Sequence, residues 1–102
     1  MEPRTLTFEF GTSQPKMPFI GFIQEAPENY TIKKITVICP NSNLLKCHTE
    51  IGEDPQKMDK QTFVSGAEIN RNVRLGQSVR VVIQATQFVP EGIKGQWMFE
   101  IA

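Results

Sequence analysis

Apolar residues in this chain recur at every second position, in short runs that end at clusters of Gly, Pro, Asn or Ser. A period of two sets alternate side chains on opposite faces of an extended strand, whereas a helix needs a period of about 3.6. No segment carries a convincing helical period, so the pattern predicts an all-β domain. Thr5-Leu6-Thr7-Phe8-Glu9-Phe10 alternates cleanly, with Leu6, Phe8 and Phe10 on one face. Val79, Val81, Ile83 and Ala85 form a second clear stripe, and Trp97, Phe99 and Ile101 a third.

The intervening segments fill in the rest. Tyr30 to Cys39 is β-branched, with Ile35, Val37 and Cys39 in phase and Ile32 out of phase, which predicts a bulge or strand start near Lys33-Lys34. Leu45, Cys47, Thr49 and Ile51 line one face of the next strand; Lys46, His48 and Glu50 line the other. Gly52 to Gln61 reads as a polar loop, with one helical turn open to Pro55–Gln61. Thr62-Phe63-Val64 is a short strand broken at Ser65-Gly66, and Ala67 to Leu75 alternates loosely before the Gly76-Gln77-Ser78 turn. Val89-Pro90-Glu91-Gly92 suits a type I turn, with Pro second and Gly fourth. Seven or eight short strands with turns between them predict a two-sheet antiparallel sandwich in one domain spanning residues 1–102. The expected core is Phe8, Phe10, Ile35, Val37, Val81, Ile83, Trp97, Phe99 and Ile101.

Charge narrows the function. Lys and Arg total 11, as do Asp and Glu, for a net charge of zero. That removes the basic footprint of a general nucleic-acid binder and of an electrostatic membrane anchor. No run approaches the roughly 18 apolar residues of a membrane-spanning helix, which argues against membrane insertion. The first residues lack the basic-then-apolar layout of a signal peptide, so cytoplasmic synthesis is expected; the final location is left open, part of a virion or other assembly being one option.

The last third of the chain resembles the C-terminal strand pair of immunoglobulin-like sandwich domains. Val73-Arg74-Leu75-Gly76-Gln77-Ser78-Val79-Arg80-Val81-Val82-Ile83 supplies a Gly turn into a Val-rich strand, Pro90-Glu91-Gly92 a turn, and Gly95-Gln96-Trp97-Met98-Phe99-Glu100-Ile101 the closing strand. The resemblance implies an immunoglobulin-like sandwich. The Cys…Trp…Cys spacing of antibody-type domains is absent, and a jelly roll is the alternative. Neither fold implies a function.

No set of residues carries visible chemistry. Cys47 and His48 are strand neighbours and point to opposite faces, so they do not grip one ion, and zinc wants about four ligands where Cys39, Cys47 and His48 offer three. Cys39 and Cys47 flank one predicted hairpin: a turn centred on Asn43 brings them opposite, one centred on Asn41-Ser42 does not. Both are expected to be reduced. His48 faces away from the thiol that it would have to activate. Glu50, Glu53, Asp54 and Asp59 fit no known calcium loop. No cofactor and no catalytic residue is assigned. Trp97 is in phase with the core, whereas Tyr30, Phe63 and Phe88 border loops and are the candidates to stack on a sugar or small ligand.

The least ordinary feature is hydrophobicity on both faces of Met17–Ile23 and Val81–Ile83. An apolar surface left exposed marks a contact site. The Met17–Ile23 strand is therefore expected at a subunit or partner interface, with Phe19, Ile20, Phe22 and Ile23 as contacts. Alternation sets Phe19 with Ile23 and Ile20 with Phe22; one pair enters the core and the other needs different cover. The expected function is a non-catalytic structural or interaction module acting through protein contacts or self-association, such as a component of a phage particle. A carbohydrate- or small-ligand-binding module is the alternative.

Overall fold

Each run of alternating apolar residues becomes a strand. The computed structural model describes residues 3–11, 19–23, 25–40, 42–87, 89–90 and 92–102. In chain order the strands are β1 (Arg4–Gly11), β2 (Phe19–Ile23), β3 (Tyr30–Ile38), β4 (Leu45–Gly52), β5 (Asp59–Phe63), β6 (Glu68–Val73), β7 (Ser78–Ala85) and β8 (Lys94–Ile101), with one 3-10 turn at Ser42–Leu44. They build two four-stranded sheets, β1-β8-β3-β6 and β2-β7-β4-β5. Every pairing is antiparallel.

Side chains of the two inner faces merge into one apolar core. Ile32, Ile35, Val73, Trp97 and Phe99 enter it from the first sheet, and Ile51, Phe63, Val79, Val81 and Ile83 from the second. The result is a sandwich-like all-β molecule. The predicted bulge is present. Ile32 pairs with Ile101 and Lys34 with Glu100, so Lys33 is an extra residue of β3 against β8. The extra residue lets Ile32 and Ile35 both reach the core, each at 0% exposure. The Val89–Gly92 turn is closed by a bond from the Gly92 N–H to the Val89 carbonyl at 2.9 Å.

Four expectations need correction. Phe8 is 37% exposed. It stacks on Trp97 with ring centroids 4.5 Å apart, but among the described residues β1 is a sheet edge, paired with β8 alone. The strand β5 starts at Asp59, inside the segment read as loop: an edge strand with only Phe63 buried needs no apolar alternation. Residues Pro55–Gln61 form no helix; the Lys57 N–H closes a turn on the Asp54 carbonyl at 2.9 Å. Finally, β3 and β4 are not a hairpin. They lie in different sheets, so Cys39 and Cys47 do not come opposite, and both thiols are free. The same holds for β7 and β8, which pair with other strands and not with each other.

One polar group crosses the core. Arg71 lies on β6, in register with Ile32, and its side chain is only 9% exposed. It donates to Thr49 Oγ1 at 3.0 Å and to Asp59 Oδ2 at 2.8 Å, so a residue of the first sheet holds β4 and β5 of the second. Thr49 is fully buried and donates to the Gln61 carbonyl at 3.3 Å. Arg71→Ala is expected to cost about 1–3 kcal/mol, because it strips a charged donor from a buried hydroxyl and removes a packed stem. Asp59→Ala should cost clearly less, since that carboxylate is 79% exposed and water screens the pair. Urea unfolding of the two variants side by side checks the order.

Candidate functional site

The outer face of the β2-β7-β4-β5 sheet collects the side chains that alternation turns away from the core. The strand registers align the outer-phase positions in two rows. Ile20 pairs with Val82, Val82 with His48 and His48 with Thr62. In the next row Phe22 pairs with Arg80, Arg80 with Glu50 and Glu50 with Lys60. The first row is apolar at its β2 end, where Ile20 is 55% exposed and Val82 is 7% exposed beside it. The second row carries the charged residues Arg80, Glu50 and Lys60.

Glu50 is the hub of the charged row. His48 Nε2 lies 2.8 Å from Glu50 Oε2, and Arg80 reaches Glu50 Oε1 at 3.2 Å. The same Arg80 guanidinium donates to the Pro55 carbonyl at 2.8 Å, which ties the 53–58 loop to the sheet. A shallow cavity of about 310 Å³ lies there, lined by Gly52, Glu53, Pro55, Met58, Ser78 and Arg80. Each carboxylate oxygen of Glu50 has a side-chain partner, so the cluster holds its own side chains in place.

The expected site residues divide as follows. Phe19 and Ile23 pair with the fully buried Ile83 and Val79, which puts their positions on the core-facing phase of β2; Ile23 packs against the core. Positions 20 and 22 take the opposite phase. Met17 and Pro18 lie outside the described residues, as does Phe88. Tyr30 and Phe63 are not at the rim. Tyr30 is 8% exposed, set edge-on to Phe99 at 6.5 Å, and burial pushes its phenol pKa up. Phe63 is 9% exposed and pairs with Cys47. The sheet register turns both rings inward, and Phe63 also lines the open cleft between the β5 and β6 edges.

Cys47 is buried on the inner face, and desolvation pushes its thiol pKa up to about 11. At neutral pH it is a thiol rather than the thiolate that attacks electrophiles. His48, one residue on, faces out to Glu50. The acidic residues weighed for calcium separate in the same way: Glu50 binds His48 and Arg80, Asp59 binds Arg71, and Asp54 Oδ1 accepts from the Gln56 N–H at 2.9 Å. Among the described residues no group of three or more His, Cys, Asp or Glu is placed to hold a metal ion. Among the described residues no helix is long and apolar enough to cross a membrane.

An open cleft of about 810 Å³ runs between the β5 and β6 edges, over Val37, Leu45, Cys47, Phe63 and Ile69. Its floor is made of residues already packed in or against the core. The Glu50 hub was not singled out from the sequence. The spacing of His48 and Glu50 places them on one face of a strand, but Arg80 joins them only through the β4–β7 register. Comparison of the chain with family models, with curated proteins and with solved structures returns no match.

Proposed function

We propose that this chain is a non-catalytic interaction module, an eight-stranded jelly roll that docks on a protein partner through the outer face of the β2-β7-β4-β5 sheet. The carrying observation is Ile20, a large aliphatic residue 55% exposed on an edge strand, directly beside Val82 and next to a row of charges. An apolar centre with a polar rim is the anatomy of a protein interface. Leaving such a side chain in water forgoes roughly 1.5–3 kcal/mol relative to burying it. The jelly-roll reading rests on strand order: every connection except β4–β5 crosses between the sheets, as two nested Greek keys require. The non-catalytic reading rests on the protonated Cys47 thiol and on His48 and Glu50 being spent on each other. Tyr30 and Phe63 are taken up in packing, which favours protein contact over sugar stacking.

The test is Ile20→Glu, with the fold checked by circular dichroism. Position 20 is exposed, so the variant is expected to fold. A central interface residue carries about 2 kcal/mol or more, so binding to proteins retained by the wild type should weaken roughly 30-fold or more. A folded I20E that keeps wild-type affinity for those proteins sinks this docking face.

A further inference from the structure

Sheet edges are open hydrogen-bonding templates, and folded proteins usually blunt them with short strands, bulges, inward charges or proline. Among the described residues four strands are edges: β1 and β6 in one sheet, β2 and β5 in the other. Three of them carry such devices. On β6, two residues face one of β3 at a bulge where Asn70 takes φ 47°, and Arg71 points inward. The β5 strand has five residues and opens on Asp59, bound to that arginine. The β2 strand also has five residues, and Pro18 precedes it in the sequence.

The exception is β1. It keeps one register with β8 over eight consecutive pairs, without a shift. Its core-facing phase holds Arg4, Leu6, Phe8 and Phe10, and its outer phase is Thr5, Thr7 and Glu9. Thr5, Thr7, Phe8 and Glu9 are all exposed. Among the described residues, β1 pairs with β8 alone.

We propose that β1 pairs antiparallel with β1 of a second copy of this chain, joining two β1-β8-β3-β6 sheets into one eight-stranded sheet. The strand is self-complementary in one register. Opposite residues of an antiparallel pair share a face, so the two-fold axis must bring core-facing residues against core-facing residues. Of the three apolar residues on that face, Phe10 is already buried, while Phe8 is 37% exposed and Leu6 partly so. An axis through Thr7 sets Leu6 opposite Phe8 of the second copy and Phe8 opposite its Leu6. It covers the open side of the Phe8 ring. On the outer face Thr7 meets Thr7 and Thr5 meets Glu9, so no like charges face each other. The zero net charge of the chain adds no long-range repulsion.

The inference is independent of the Ile20 docking face and uses the opposite sheet. Its test is the solution mass at tens of micromolar, by light scattering or sedimentation. The wild type is expected at twice the 11.6 kDa chain mass. Thr7→Lys places two ammonium groups opposite each other at the axis, and Thr7→Glu two carboxylates; like charges directly opposite destabilise the pair. Each variant should be folded by circular dichroism and halve the observed mass. Mixing T7K with T7E in equal amounts should restore the dimer, because the charges are then opposite. I20E should leave the mass unchanged, which separates failure of this pairing from failure of the docking face. A monomeric wild type overturns the proposal, as do T7K and T7E variants that remain dimeric, or a mixture of the two that stays monomeric.

Discussion

Phe99→Ala is expected to lower the unfolding free energy by about 3–5 kcal/mol, the upper range for removing a core aromatic. The residue is 1% exposed at the middle of β8, the strand held between β1 and β3. Its cross-strand partners are Leu6 and Ile35. Its ring meets Tyr30 edge-on at 6.5 Å and Trp97 at 5.9 Å, so one truncation removes two aromatic contacts as well as buried area. Collapse cannot fill the hole cheaply, because neighbours on both sides are fixed by sheet hydrogen bonds. A domain of this size is stable by about 5–15 kcal/mol, so the variant is near the threshold of folding. At about 4–8 °C per kcal/mol, the melting temperature should fall by at least ~12 °C. Phe99→Leu keeps most of the volume and should lose markedly less. Equal melting temperatures for wild type and F99A would mean that the closing strand is not inserted as described.

That prediction draws on a part of the fold that was legible in residue spacing. Trp97, Phe99 and Ile101 alternate without interruption, and a buried face admits only one register. The bulge at Lys33 was legible for the same reason: Ile32 and Ile35 are three apart, and both are too apolar to be left outside. What the spacing does not carry is which sheet each strand joins. Pro40–Asn43 says that the chain turns, and a turn between strands of one sheet uses the same residues as a corner between two sheets. Hence the β3–β4 connection resembles a hairpin in sequence and is a crossover in space. Edge position is likewise a property of strand order. It explains why Phe8 is half open despite perfect alternation, and why Asp59, Lys60 and Gln61 form a strand with no apolar signal. The outer-face site follows this division. Ile20 and the His48–Glu50 pair can be read from local alternation, while the approach of Arg80 depends on a pairing some thirty residues away in the chain.

Gly95→Ala is the second large effect, and it arises from a close approach rather than from the core. Gly95 lies at the start of β8, opposite Phe10 of β1, where β3 runs out at Ile38. A Cβ built there falls onto the Ile38 carbonyl oxygen, with the Ile38 carbonyl carbon at 3.1 Å and the Cys39 Cα at 3.2 Å. These are backbone atoms of the neighbouring strand, so no rotamer change clears them. The strands must part at Ile38–Gln96, losing the last rungs of that ladder, or β8 must shift against Phe10. Overpacking of this kind costs about 1–3 kcal/mol, occasionally more, and contacts with rigid backbone belong at the high end. The reduced freedom of the unfolded chain gives back only about 0.4–1 kcal/mol. Gly66→Ala and Gly76→Ala make the comparison informative. Both glycines sit at turns with φ of +82° and +87°, and a Cβ on either meets open space. Their cost is the left-handed backbone alone, about 1–2 kcal/mol. Urea unfolding should therefore rank Gly95→Ala as the most damaging of the three, with an altered environment at Cys39 visible as faster thiol labelling. If Gly95→Ala unfolds at the same urea concentration as wild type, β3 and β8 do not approach each other at Ile38 as closely as this packing requires.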